Sequence, residues 1–153
     1  MIRTLLQVSI FVVFASSALA QSGVEIYSAK QLGEVSQALS QKGTHFANKD
    51  LERYRDHYTM LAWRDATGSS EVHEHEADIY FITGGQAVIV SGGKLIHPET
   101  QKPGELRGTG IDGGERHSLG TGDVVHIPAG VPHQLLIEKD KPVTYFVVKV
   151  TGQ

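Results

Sequence analysis

The chain has 153 residues, a formal net charge of −3 and no cysteine. That length suits one domain with a proper core, and 40% apolar with 20% charged residues is the composition of a globular chain. The mild acidity excludes a nucleic-acid binder driven by net charge. The lack of cysteine excludes disulfides, thiolate metal sites and a cysteine nucleophile, so any metal must be held by nitrogen and oxygen.

The first twenty residues read as a targeting segment. Arg3 gives a positive start, Leu5 to Ala15 is mostly apolar, and Ser16-Ser17-Ala18-Leu19-Ala20 ends in a small-x-small cleavage pattern. Residues 1–20 are therefore expected to be a signal peptide, and the protein to be periplasmic or secreted. The longest unbroken apolar run, Ile10 to Ala15, is six residues. A spanning helix needs about twenty, so no membrane anchor is expected.

Next comes a helix. Ser28 is an N-cap residue, Leu32, Val35, Ala38 and Leu39 fall at helical spacing, and Gly43 supplies a stop. The spacing predicts a helix from Ala29 to Lys42, packing an apolar stripe on a sheet. Residues 21–50 are expected to form this helical segment and 51–153 a β domain.

The rest of the chain has strand character. Tyr58–Arg64 is bounded by Asp65-Ala66-Thr67-Gly68. Ile79–Thr83 is closed by Gly84-Gly85, and Gln86–Ser91 is its expected hairpin partner. Val124–Ile127, Gln134–Ile137 and Val143–Val150 follow. Short strands punctuated by Gly, Pro and Asp predict an all-β sandwich or barrel. The span from Gly84 to Gly122 holds 11 of the 17 glycines, a density that marks tight turns and excludes a helix there.

Two histidine constellations carry the chemistry. In His73-Glu74-His75, an extended chain would aim both imidazoles at one face. Glu71, Glu74, Glu76 and Asp78 surround them with oxygen ligands, or with acceptors that fix a ring tautomer. Further on, Gly122-Asp123 opens a turn, Val124–Ile127 is a strand, and Pro128-Ala129-Gly130-Val131-Pro132 is a stiff turn that delivers His133 onto the next strand. Preorganised backbone of this kind suits a third ligand. His126, on the strand leading to that turn, faces either into or out of the barrel. His97 and His117 lie in the glycine-rich region, while His45 and His57 read as surface or packing residues. Trp63 and Tyr58 read as core. Glu105, Arg107 and Arg116 flank glycines beside the site, where an arginine could clamp a carboxylate.

Together these motifs resemble the cupin family, small β-barrels of the double-stranded jelly-roll type. The first cupin motif runs Gly, five residues, His-x-His, three or four residues, Glu, six residues, Gly. His73 and His75 fill the histidine pair, with Gly68 four residues before. Asp78 takes the glutamate position before Gly85, only two residues beyond His75. The second motif runs Gly, five, Pro, x, Gly, two, His, three, Asn. Gly122, Pro128, Gly130 and His133 match at every spacing, and Ile137 replaces the asparagine.

The resemblance covers roughly Tyr54 to Val150. It implies a double-stranded β-helix, the cupin jelly-roll barrel, with one N-terminal helix added. It also implies a divalent transition metal (Fe, Mn, Ni or Zn) held by His73, His75, His133 and Asp78, with Glu76 or Tyr80 as alternatives for the last position. Glu76, Tyr80 and His126 are the candidate catalytic proton carriers. The expected function is a metal-dependent enzyme of dioxygenase, isomerase or lyase type acting on a small oxygen-rich organic molecule. The alternative is a non-catalytic binder of a sugar or organic acid. The expected partners are a small molecule and a second copy of the chain, joined in a homodimer that buries a sheet edge, with neither nucleic acid nor membrane.

Overall fold

A computed structural model describes residues 23–153. The expected signal peptide lies outside the described residues. Among the described residues no helix is long and apolar enough to cross a membrane.

The helix α1 (Ala29–Ser40) forms for local reasons first. Ser28 caps it: its Oγ accepts from the Gln31 backbone N–H, and the Gln31 side chain accepts in return from the Ser28 N–H at 2.9 Å. The helix ends two residues before the expected Lys42, where Gln41 and Lys42 close a tight turn. Leu32, Val35 and Leu39 then pack on Ala47, Leu61 and Trp63, forming a small core outside the barrel.

Twelve strands follow: β1 (Phe46–Arg53), β2 (His57–Arg64), β3 (Ser70–His73), β4 (Glu76–Ser91), β5 (Lys94–Ile96), β6 (Glu99–Lys102), β7 (Glu105–Gly108), β8 (Gly110–Asp112), β9 (Glu115–Gly120), β10 (Val124–Ile127), β11 (His133–Leu136) and β12 (Val143–Thr151). The expected boundary at 50/51 falls inside β1, because Phe46–Arg53 pairs antiparallel with β2 and belongs to the sheet. The helix is an appendage of the barrel wall.

The expected hairpin of Ile79–Thr83 with Gln86–Ser91 does not form. Both runs belong to the single strand β4. Thr83 is an extra residue where Gly84 faces Thr144 and Ile82 faces Tyr145, so β4 bulges and bends instead of reversing. Gly85 completes the bend at φ +79, where a Cβ would stand 1.9 Å from the Pro142 carbonyl oxygen. The bend lets one strand serve two faces of a double-stranded β-helix. Its first half pairs with β12 and β10, its second half with β9 and β11. Beyond β11 the second face continues through β3, β7 and β6, and the first continues through β12, β2 and β1. The glycine-rich span supplies the short strands β5 to β9.

Alternation fills the barrel. Ala62, Tyr80, Ile82, Ala87, Ile89, Leu119, Ile127, Leu135, Val143, Tyr145 and Val147 form one buried cluster. The polar residues buried beside it are His73, Asp78, His133, Gln134, Lys149 and Ser70. Buried polar groups cost free energy unless they are paired, so this end of the barrel needs an account.

Candidate functional site

Strand registers bring these groups together. Glu71 and His73 are i and i+2 on β3 and share its inner face. His133 stands directly opposite Glu71 on β11. On the other side of β3, Arg107 of β7 stands opposite Glu71 and Glu105 opposite His73. Asp78 and Tyr80 share the inner face of β4, and Lys149 of β12 stands opposite Asp78.

One ligand atom each from Glu71, His73 and His133 lies within 4.8 Å of the others. His133 Nε2 is 3.4 Å from Glu71 Oε1 and 3.5 Å from Asp78 Oδ2. His73 Nε2 is 3.5 Å from Glu71 Oε2 and 3.7 Å from Asp78 Oδ2. His133 is oriented from behind: its Nδ1 donates to the Val131 carbonyl at 3.0 Å, inside the stiff turn. That turn is tied to β3 by the Gly130 N–H donating to the His73 carbonyl at 2.8 Å. Tyr80 Oη donates to Asp78 Oδ2 at 3.0 Å and is 3.5 Å from His133 Nε2.

The charges are arranged in compensating pairs. Arg107 ion-pairs with Glu71 and, through Nε at 2.9 Å, with Glu105. Lys149 Nζ lies 2.7 Å from Asp78 Oδ1, 2.9 Å from Oδ2 and 2.6 Å from His73 Nε2. Burial alone would push the Glu71 carboxyl up, but the His133 imidazole and Arg107 hold it well below the usual carboxylate range. Asp78 is likewise held down against its burial by His133 and Lys149. Burial works against the His133 cation, yet the carboxylates of Asp78 and Glu71 raise its pKa to about 9. Burial and the same two carboxylates push the Tyr80 hydroxyl well above its ordinary value, so it stays protonated.

The cluster opens into a cavity of about 490 Å³. Phe46, Met60 and Val147 give it apolar wall, while Tyr58, Glu76, Arg64 and Arg107 give it polar wall. Tyr58 Oη donates to Glu76 Oε2 at 3.3 Å. Arg64 is stacked on the Phe46 ring, 4.5 Å from its centroid.

The residues expected from the sequence divide. The structure brings His73, Asp78, His133 and Tyr80 together, with Glu76 on the cavity wall. His75 stands apart. Strand β3 ends at His73, and Glu74 and His75 form a bend, so the alternation that would aim both rings alike is broken. The His75 ring is exposed and rests beside Gly104, whose Cβ would be 3.2 Å from it. His126 also stands apart: Val125 packs on the core and Ile127 is buried, which turns the residue between them to solvent. Tyr58, read as core, lines the cavity instead, while Trp63 packs under the helix. Arg116 is exposed, and Arg107 clamps two carboxylates of the protein itself.

Residues 102–149 match the family described as "Cupin domain". A conserved protein with a double-stranded β-helix domain from Klebsiella pneumoniae subsp. pneumoniae is 15% identical, covers 85% of this chain and 92% of its own, and superposes with a TM-score of 0.57. The chain has the double-stranded β-helix fold of the cupins, and its residues 102–149 match their domain.

TT1209 from Thermus thermophilus is 19% identical over 75% of this chain and 92% of its own, with a TM-score of 0.54. The DMSP lyase DddQ from Ruegeria pomeroyi is 22% identical over 69% of this chain at a TM-score of 0.49, and this chain spans 47% of its length. These likenesses are of fold. No curated protein matches the chain in sequence.

The spacing that follows the histidine pair fits better two residues earlier on β3, with Glu71 in the place of the first histidine and Asp65 in that of the opening glycine. With Glu71-Val72-His73 in place of the histidine pair, four residues separate His73 from Asp78 and six separate Asp78 from Gly85, as the family motif asks. The two-residue gap after His75 was the signal of the wrong register. Lys149 also left a signal: it is the fourth inward position of the series Val143, Tyr145, Val147, Lys149.

The donors fit a divalent first-row ion chemically. They are the imidazole nitrogens of His73 and His133 and the carboxylate oxygens of Glu71 and, beside them, of Asp78, which is itself ion-paired with Lys149.

Proposed function

We propose that this protein is a metal-dependent enzyme of dioxygenase, isomerase or lyase type, acting on a small oxygen-rich organic molecule. The observation that carries the reading is the convergence of Glu71, His73 and His133, the first two of which line a cavity large enough for such a molecule. A divalent Fe, Mn, Ni or Zn ion bound there supplies Lewis acidity to an oxygen of the substrate. The chain's own residues do the rest. Tyr80, protonated and hydrogen-bonded to Asp78, is placed to hold a proton beside the ligand set. Glu76, on the wall and facing Tyr58, is a base within the same cavity. Arg64, which has no carboxylate partner among the described residues, favours an anionic group on the substrate, and Phe46, Met60 and Val147 limit water. We further propose export on the strength of Arg3, the apolar stretch and Ala18-Leu19-Ala20; a mature mass that begins at Gln21 supports it, and an intact Met1 or Ile2 terminus refutes it.

A second reading, a binder without turnover, is supported by the pairing of both site carboxylates with cations of the protein itself. Elemental analysis of the purified wild type, Glu71→Gln and His133→Ala separates the two. The metal reading expects stoichiometric transition metal in the wild type and a loss of at least about tenfold in either variant. Equal metal in all three rejects the site. Oxygen consumption and product analysis with diketones, phenols and hydroxy acids then distinguish an enzyme from a barrel that only retains its ligand.

A further inference from the structure

The register that turns Asp78 inward turns Lys149 inward with it. The two are directly opposed on the β12–β4 ladder, and Lys149 follows Val143, Tyr145 and Val147 on the buried face of β12. Its position is set by backbone pairing, and its side chain is about one-tenth exposed. An ammonium in such a place must find partners inside the barrel. It finds both oxygens of Asp78, at 2.7 and 2.9 Å, and Nε2 of His73 at 2.6 Å. Ammonium carries three donors and no lone pair, so His73 Nε2 is the acceptor of that contact.

That nitrogen also faces Glu71 and Asp78, 3.5 and 3.7 Å away. A divalent ion would draw on the same lone pair and the same carboxylate. The ammonium and the ion therefore compete for one place. Resting on the metal reading above, we propose that Lys149 is a tethered cation within the ligand set. It holds Asp78 and His73 in position when no ion is bound. An ion gains those two donors only by displacing the ammonium, and the cavity that Lys149 already lines is where it goes. Two positive centres cannot share that spacing in a low-dielectric barrel without a large repulsion. The site is thus weakened toward all divalent ions and answers to the strongest binders among them.

Calorimetric titration of zinc(II) into the metal-stripped full chain tests this, with wild type, Lys149→Met and the double variant Lys149→Met/His133→Ala at one pH and salt concentration. Lys149→Met is expected to bind zinc at least about tenfold more tightly than wild type, and the double variant to lose the gain. A second measurement needs no variant: reductive methylation read by peptide mass. Lys149 is expected to be protected in the stripped wild type and modified once zinc is saturating. It decides alone if Lys149→Met fails to fold. Zinc bound equally well by wild type and Lys149→Met, or Lys149 equally protected with and without zinc, overturns the tethered cation and leaves the metal site standing. No zinc binding by either protein overturns both.

Discussion

His133 is the residue at which the site's electrostatics can be read most directly. Its folded pKa, raised from 6.5 to about 9, means that the folded metal-free protein binds a proton there more tightly than the unfolded chain does. The stability from this group is fully present below pH 6.5 and is lost as pH rises through 9. Glu71 and Asp78 act on the other side: both are depressed, so their contributions are present above their ordinary values of 4.5 and 3.8 and are lost as pH falls. The stripped protein should be most stable between about pH 4.5 and 6.5. It should lose on the order of 3 kcal/mol between pH 6.5 and 9, since each pKa unit is worth about 1.4 kcal/mol. Urea melts across that range check it, and His133→Gln should flatten the alkaline slope. A slope unchanged in that variant would assign the loss to another group. At this scale the sequence was legible where backbone stiffness fixes the side chain. Pro128 to Pro132 leaves His133 one place to be, so its position at the start of β11 could be read from the sequence. His75 was misplaced because strand alternation was carried one residue pair too far, across a bend that no glycine or proline announces.

Among the elements, β4 carries the architecture, and its bend is the point to test. Gly85→Ala asks a residue with a side chain to hold φ +79 with its Cβ 1.9 Å from Pro142 O, and backbone on both sides resists the shift. It should cost at least about 3 kcal/mol. Gly122 is the control, with φ +98 and nothing within 4 Å of its Cβ. Gly122→Ala should cost about 1 kcal/mol, the strain of the backbone alone. Chemical denaturation of both variants gives the difference, and equal costs would mean that the bend tolerates movement. The glycine pair at 84 and 85 was read as a hairpin turn because two glycines between β runs usually are one. The outcome depends on β12, whose register admits Thr83 as an extra residue. That partner is about sixty residues away, and no local window contains it. The helix is the opposite case: the Ser28 cap and the spacing of Leu32, Val35 and Leu39 are local signals that the structure uses, while Ala38 at the stripe's edge stays exposed. Leu39→Ala, at a position 2% exposed beneath the helix, should cost about 3 kcal/mol while leaving metal content unchanged, because that core is separate from the barrel's interior.

For the whole molecule, the question is whether the fold depends on an ion, as small cysteine-free domains sometimes do. Here it should not. The barrel buries an extended apolar cluster of its own, and a second core anchors the helix. The polar end is compensated without metal, since Arg107 answers Glu71 and Lys149 answers Asp78. Leaving either carboxylate buried and unpaired would cost several kcal/mol. With both paired, chelation leaves a closed set of charges. The chain treated with a chelator should therefore keep its β-type far-ultraviolet dichroism and melt in one cooperative step. Zinc at about a hundred times its dissociation constant should then add about 2.7 kcal/mol, the stabilisation that mass action allows for one site. For a domain of this size that is a rise of roughly 10 °C in Tm, and a second addition of chelator should reverse it. Calorimetric melts of stripped, loaded and re-stripped protein measure all three states. A stripped protein without a cooperative transition would make the ion a structural element of this barrel, and the two internal cation pairs would then be too weak to hold its polar end.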